Sequence, residues 1–242
     1  MLNAHENPSA DASIERFDQA YHQKGLASQR MYPNEAMVQF VLGLFGHLAP
    51  AERQTVRILE VGCGSGANLW MLSKEGFEVY GLDASAAGLS LAETHLAKKW
   101  EVMARLAVGD FTRLPYPDRF FDAVIDVVSL QHLNLKGTSA ALVEVARVLK
   151  QDGRFFSYRL SDKSCMYLRN ALPMIDAATV QDIPSPLPLA NNGPTSFIGP
   201  ALARHLYDAA GLIVESIQTF GRTYVSGDFV EYMAIDSSLR PI

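Results

Sequence analysis

The residues best suited to chemistry begin with a run of glycines. In "ILEVGCGSGANLW", Ile58 to Trp70, Gly62, Gly64 and Gly66 lie between a β-branched apolar run and the start of a helical pattern. A glycine there takes positive φ, and without a Cβ it lets a ligand come close to the main chain. A tight strand-to-helix turn with no ligand would use the same residues, so the acids that follow decide. Asp83 stands about twenty residues on, at the end of the next apolar run, where a carboxylate reaches a ribose diol. A helix cap would explain Asp83 alone but leaves Asp110, at the end of the run after that, without a reason. Together they point to an adenosine-type cofactor. Gly62, Gly64 and Ala67 also satisfy the G-x-G-x-x-G/A dinucleotide fingerprint, so a nicotinamide cofactor stays open on the loop alone.

The elements that must hold these residues alternate. "VRILEV" (Val56 to Val61), "FEVYGLD" (Phe77 to Asp83), "VMARLAVGD" (Val102 to Asp110), "FDAVIDVVSL" (Phe121 to Leu130) and "RFFSYRL" (Arg154 to Leu160) read as strands. "ANLWMLSKEG", stopped by Gly76, a helix capped by Ser85 and running towards Lys99, and "TSAALVEVARVLK" read as helices between them. Such alternation predicts an α/β fold, a doubly wound, mostly parallel sheet covered on both faces. "IVESIQTFGRTYV" and "FVEYMAID" around "SGD" predict an antiparallel hairpin at the C-terminus. "MYPNEAMVQFVLGLFGHL" predicts a helix entered through Pro33 and Asn34, while Asp182 to Pro200, dense in Pro, Gly and Asn, predicts an irregular lid or linker. The expected division is an N-terminal helical or lid segment, 1–48, and one ligand-binding domain, 49–242, with an irregular insertion at about 161–200. The polar start, "MLNAHENPSADAS", is expected to fray.

Composition narrows the partners. The 242 residues are 48% hydrophobic with a formal net charge of −5, which argues against a surface made to neutralise many phosphates, and so against nucleic acid. Cys63 and Cys165 stand far apart, in no metal-ligand spacing; this predicts no metal and a reducing, cytoplasmic compartment. No leader pattern and no apolar run of membrane-spanning length is seen, so a membrane location is not expected.

The motifs "LEVGCGSG", "YGLDAS", "GDFTRLPYPDRFFDAVIDVVSLQHL" and "EVARVLKQDGRFF", in this order, resemble those of the class I S-adenosylmethionine-dependent methyltransferases, in their small-molecule branch. They cover Val56 to about Leu160. The resemblance implies six strands running one way and one the other, in a Rossmann-like seven-stranded sheet, and S-adenosylmethionine as cofactor. It places Glu60 near the amino-acid end of that cofactor, Gly62, Gly64 and Gly66 as backbone contacts, Asp83 on the ribose hydroxyls, Asp110 on the adenine amine and Phe111 beside the adenine ring. It also implies that Met1 to about Leu48 and Ser161 to Pro200 shape the acceptor site.

Methyl transfer requires alignment and exclusion of water, with a general base only where the acceptor must lose a proton. His132 in "SLQHL" sits after the fourth strand, where it is the candidate base, with packing under the next loop as the alternative. Tyr32, Arg30 and the Tyr21/His22 pair are weaker candidates for a lid or for acceptor contacts. Cys63 reads as loop filler and Asp122 as a structural hydrogen-bonding residue; Asp126 has no assigned role. No Asn-Pro-Pro-Tyr-like run follows the fourth strand, which favours a small-metabolite acceptor over a nucleobase or a glutamine amide. Oxygen, nitrogen and carbon acceptors, and a non-catalytic binding protein of the same fold, all stay open.

Overall fold

The computed structural model describes residues 8–169 and 172–241. A first helix, α1 (Pro8–Lys24), leads through a 3-10 turn to α2 (Glu35–Phe45) and the short α3 (Pro50–Arg53). As expected, Asn34 starts α2, its side chain accepting the Met37 N–H at 3.0 Å. There follow β1 (Arg57–Val61), α4 (Leu69–Lys74), β2 (Glu78–Asp83), α5 (Ala86–His95), β3 (Arg105–Val108), β4 (Phe121–Val127), α6 (Leu135–Val148) and β5 (Leu149–Leu160). The chain continues through α7 (Cys165–Leu168), β6 (Thr179–Val180), β7 (Thr195–Ser196), α8 (Pro200–Ala209), β8 (Leu212–Thr223) and β9 (Phe229–Leu239).

The strands form a seven-stranded sheet in the order β3-β2-β1-β4-β5-β9-β8. β1 to β5 pair in parallel, β9 runs against β5, and β8 runs against β9, so only β9 opposes the rest. The C-terminal hairpin of the sequence reading is β8 and β9. Both faces of the central strands are buried, which is why their sequences are almost wholly apolar. Leu59, Val61, Val124 and Phe155 pack with Leu142, Val145 and Tyr207 of α6 and α8. Ile58, Ala123, Ile125 and Phe156 pack with Met37 and Val41 of α2 and Leu69 and Leu72 of α4 on the other face. α2, placed in the 1–48 segment from sequence, thus belongs to the packing of the sheet.

Several boundaries moved for local reasons. β3 is shorter than Val102 to Asp110 because it is an edge strand, paired only with β2. The helix after Ser85 ends at His95 and becomes a π turn, Leu96–Trp100, closed by Glu101 in the left-handed region (φ 52°). α6 starts before Thr138 because Asn134 caps it, accepting the Gly137 N–H at 2.9 Å. Within the expected irregular insertion, β6 and β7 pair antiparallel, and Leu160, Met166, Val180, Ile183 and Phe197 form a small core under it. Among the described residues no helix is long and apolar enough to cross a membrane.

Candidate functional site

The glycine loop leaves β1 at the carboxyl edge of the sheet, between the ends of β2 and β4. Gly62, Gly64 and Gly66 all have positive φ (71°, 49° and 80°), which the sequence alone could only suggest. The Gly62 and Cys63 N–H groups donate to Leu82 O at 2.7 and 3.1 Å, locking the loop to the end of β2. A Cβ on Gly62 would lie 2.1 Å from Ser129 Oγ, and one on Gly64 would lie 2.6 Å from Tyr21 Oη. A Cβ on Gly66 would instead touch Ala92 and Leu96 at 3.4 and 3.5 Å. The first two glycines therefore let Ser129 and Tyr21 close onto the loop, whereas Gly66 serves the turn and the packing against α5.

Glu60 projects from β1 into the protein and is only 2% exposed. Its Oε1 accepts from Asn68 Nδ2, but its Oε2 is buried and has no partner. Burial pushes the carboxyl up to about 8, against the pull of the Asn68 hydrogen bond and of the Arg30 charge. Arg30 Nη2 donates to Asn68 Oδ1 at 3.2 Å, and the Asn34 N–H donates to the same oxygen at 2.9 Å. Asp83, at the end of β2, accepts from Gly64 N at 2.8 Å and from Ser85 N at 2.9 Å. Burial raises its pKa too, against those backbone bonds. Asp83 thus holds the glycine loop and the start of α5, and each oxygen keeps a lone pair for a further donor.

The remaining positions from the sequence reading divide. Phe111 lies against the loop, its Cζ 3.3 Å from where a Gly62 Cβ would be. Asp110 is exposed and turns its carboxylate to Thr112, accepting from its N–H and its hydroxyl, each at 2.8 Å. The end of β3 is nonetheless tied to Asp83, through Gly109 N to Asp83 O at 3.0 Å. Tyr32 stands apart from this constellation. Its ring meets Trp70 and Trp100 edge-on and is 62% exposed, so it packs on a surface aromatic cluster. Asp122 is structural, accepting the Arg57 N–H at 2.8 Å and Lys150 Nζ at 2.7 Å.

α1 lies across the crevice. Tyr21 is buried over Gly64 and Gly88, and its hydroxyl is held neutral, its pKa raised by burial and then by Asp83. Asp18 accepts from Ser85 Oγ at 2.6 Å, at the N-terminus of α5, while His22 pairs with Asp18 at 3.3 Å and points outward. His132 lies in the turn after β4, under Phe17 of α1, the two ring centroids 4.9 Å apart and edge-on. Its Nδ1 donates to Pro194 O at 3.3 Å; since a carbonyl only accepts, Nε2 carries the lone pair. Burial lowers its pKa to about 4.

Sequence reasoning missed three supports. Asn68 bridges Arg30 and Glu60; its signal was a polar residue in the first turn after the glycines. Ser129 Oγ donates to Gly62 O at 3.0 Å, joining the β4 loop to the glycine loop. Asp126, left without a role, accepts from the N–H groups of Ser129 and Leu130 at 2.9 and 3.0 Å and fixes that turn. Between them Val128, a β-branched residue, has φ 60°, a conformation persisting only where its surroundings impose it.

The site fits an S-adenosyl cofactor on its own features. An unfilled buried carboxylate oxygen calls for a donor such as an ammonium group, and Asp83 together with Phe111 matches a ribose and an aromatic base. No group of His, Cys, Asp and Glu among the described residues is placed to hold a metal.

Comparison with known proteins agrees. Residues 59–157 match the family model described as "Methyltransferase domain". A demethylmenaquinone methyltransferase of Tropheryma whipplei is 33% identical over 125 residues, 49% of this chain and 50% of the relative. A 2-methyl-6-phytyl-1,4-hydroquinone methyltransferase of Synechocystis is 37% identical over 97 residues, 40% of this chain and 29% of the relative. The chain thus spans half or less of the length of these curated relatives. The crystal structure of Burkholderia thailandensis 1,6-didemethyltoxoflavin-N1-methyltransferase, with 1,6-didemethyltoxoflavin and S-adenosylhomocysteine bound, superimposes with a TM-score of 0.66 at 17% identity, covering 99% of this chain and 93% of that one. Its motifs and its strand order agree with that match: residues 59–157 form a methyltransferase domain, and the sheet has the fold of the class I S-adenosylmethionine-dependent methyltransferases.

Proposed function

We propose that this protein transfers a methyl group from S-adenosylmethionine to a small organic acceptor. The observation that carries the reading is the unfilled Oε2 of Glu60, set beside a glycine loop that Asp83 and Phe111 also face. In this reading Glu60 and Arg30 hold the amino-acid end of the cofactor, Gly62 and Gly64 admit its backbone contacts, Asp83 takes the ribose hydroxyls, and Phe111 and Asp110 flank the adenine. The bound cofactor supplies a methyl carbon activated by a positive sulfonium.

The chain's own residues align and seal. α1, with Tyr21 and Asp18 seated on the loop and on α5, covers the crevice and excludes water from it. His132, neutral and with Nε2 free to accept, is the base where the acceptor loses a proton. The printed names of the similar proteins, which include demethylmenaquinone, hydroquinone and 1,6-didemethyltoxoflavin methyltransferases, support a small-molecule acceptor. The acidic balance supports a partner other than nucleic acid, and the free thiols Cys63 and Cys165 a reducing, cytoplasmic setting.

A crystal structure with S-adenosylhomocysteine tests the placement. The expected result has the amino group hydrogen-bonded to Glu60 and the ribose hydroxyls to Asp83. A product molecule bound elsewhere, or with its ribose away from Asp83, would contradict it.

A further inference from the structure

One buried hydroxyl ties the insertion to the turn that carries His132. Ser196, on β7, is fully buried, and its Oγ donates to Gln131 O at 3.1 Å. The same oxygen accepts from Arg159 Nη2 at 2.8 Å. A serine hydroxyl has one proton and rotates it to whichever acceptor is in reach. Here a cationic N–H occupies the lone-pair side of the oxygen, so the proton goes to Gln131 O. Arg159 is itself fully buried on β5, and Asp126 of β4 acts on it as a counter-charge. Burying a guanidinium is costly, and its one hydrogen bond among the described residues is the one that orients Ser196.

Gln131 directly precedes His132, and its own Oε1 accepts the Leu160 N–H at 3.3 Å, which holds this residue to the end of β5. The stretch that Ser196 fixes against it carries the acceptor for the imidazole: Pro194 O, two residues earlier, takes the Nδ1 proton of His132 at 3.3 Å. The far end of the stretch is tied as well, Gly193 N donating to Asp182 Oδ1 at 3.0 Å and Thr195 pairing with Val180 of β6. The hydrogen bond at one ring nitrogen decides which nitrogen is left basic. In water a neutral imidazole prefers its proton on Nε2. At this place that tautomer would set the Nδ1 lone pair against a carbonyl oxygen and would leave Nε2 with no lone pair to offer. We propose that Ser196 is a positioning residue for His132: oriented by Arg159, it holds the Pro194 carbonyl at Nδ1 and so keeps the Nε2 lone pair for the proton of the acceptor. The tautomer follows from the geometry, while its use in catalysis rests on the methyl-transfer reading.

The test uses the full chain labelled with ¹⁵N-histidine, because protonated and bare ring nitrogens resonate far apart; His132→Gln assigns the signal. At about pH 7.5, well above the lowered pKa of His132, the ring is neutral and shows its tautomer. The expected wild type is the Nδ1–H form, with less than about a tenth as Nε2–H, rising to about a third or more in Ser196→Ala. Arg159→Met, which frees the Ser196 hydroxyl to turn, should shift the balance the same way and by less. Cooperative thermal unfolding certifies the fold of each variant. An Nε2–H wild type, or an Nδ1–H form that persists in folded Ser196→Ala, overturns the proposal, and a wild-type pattern in folded Arg159→Met contradicts the part given to Arg159. Failure of the wild type to bind S-adenosylhomocysteine would count against the methyl-transfer reading instead and would leave the tautomer result standing.

Discussion

At the scale of single residues, Glu60 couples the site to pH. A carboxyl raised to about 8 is protonated in the unliganded protein near pH 6.5 and must ionise to face an ammonium group. Binding of S-adenosylhomocysteine at that pH should therefore release a proton, read by calorimetry in buffers of different ionisation enthalpy. Glu60→Gln keeps the Asn68 contact and should release none. Its raised pKa also stabilises the unliganded fold below the ordinary carboxylate range, and this contribution is lost as pH rises through about 8. Asp83→Ala removes the acceptor for a ribose, and the expected loss of ~1.5–3 kcal/mol is roughly a ten- to hundredfold drop in affinity by titration. For His132 the sign is opposite: its folded pKa is lowered to about 4, so its contribution to stability is present above the ordinary histidine range and lost as pH falls from about 6.5 through 4. Single-turnover rates should be flat between roughly pH 6 and 8, and His132→Ala should lower them by about 10²–10⁴-fold with cofactor affinity kept. An unchanged rate would leave His132 as a packing partner of Phe17. The glycines and Asp83 were legible because their types are unusual at those positions. Asn68 and Ser129 were not, because an Asn in a first turn and a Ser in a loop are ordinary until their partners are seen.

At the scale of elements, α1 is the part whose role sequence reading undervalued. Its start reads as a polar tail, yet Asp18 and Tyr21 seat the helix on the N-terminus of α5 and on the glycine loop. That seat depends on partners distant in sequence, Ser85 lying 67 residues from Asp18, and no local pattern reports them. Asp18→Ala removes the acceptor for Ser85 Oγ and should destabilise α1 by about 1 kcal/mol. Amide hydrogen exchange should then quicken in residues 14–24, and S-adenosylhomocysteine should dissociate faster while the sheet keeps its protection. Unchanged exchange in α1 would show that Asp18 does not hold it. The strands and their caps were legible from apolar runs and from Asn34 and Ser85. The end of α5 was not, because the π turn before Glu101 answers to packing around Trp100.

For the whole molecule, the parallel core and its hairpin followed from alternation, since burial on both faces forces apolar runs separated by amphipathic helices. The order of strands, with β1 between β2 and β4, brings the glycine loop, Asp83 and the Ser129 turn to one edge although up to 67 residues separate them. The composition of the insertion, by contrast, hid its small core, because Val180, Ile183 and Phe197 are spread among prolines and glycines. The account stands on one claim: this edge binds an S-adenosyl group and not a nicotinamide dinucleotide. Calorimetric titration of the full chain with S-adenosylhomocysteine and, separately, with NADH measures that directly. One equivalent of S-adenosylhomocysteine should bind, with Asp83→Ala weakening it and NADH giving no measurable heat of binding; tight NADH binding with no response to S-adenosylhomocysteine would contradict it.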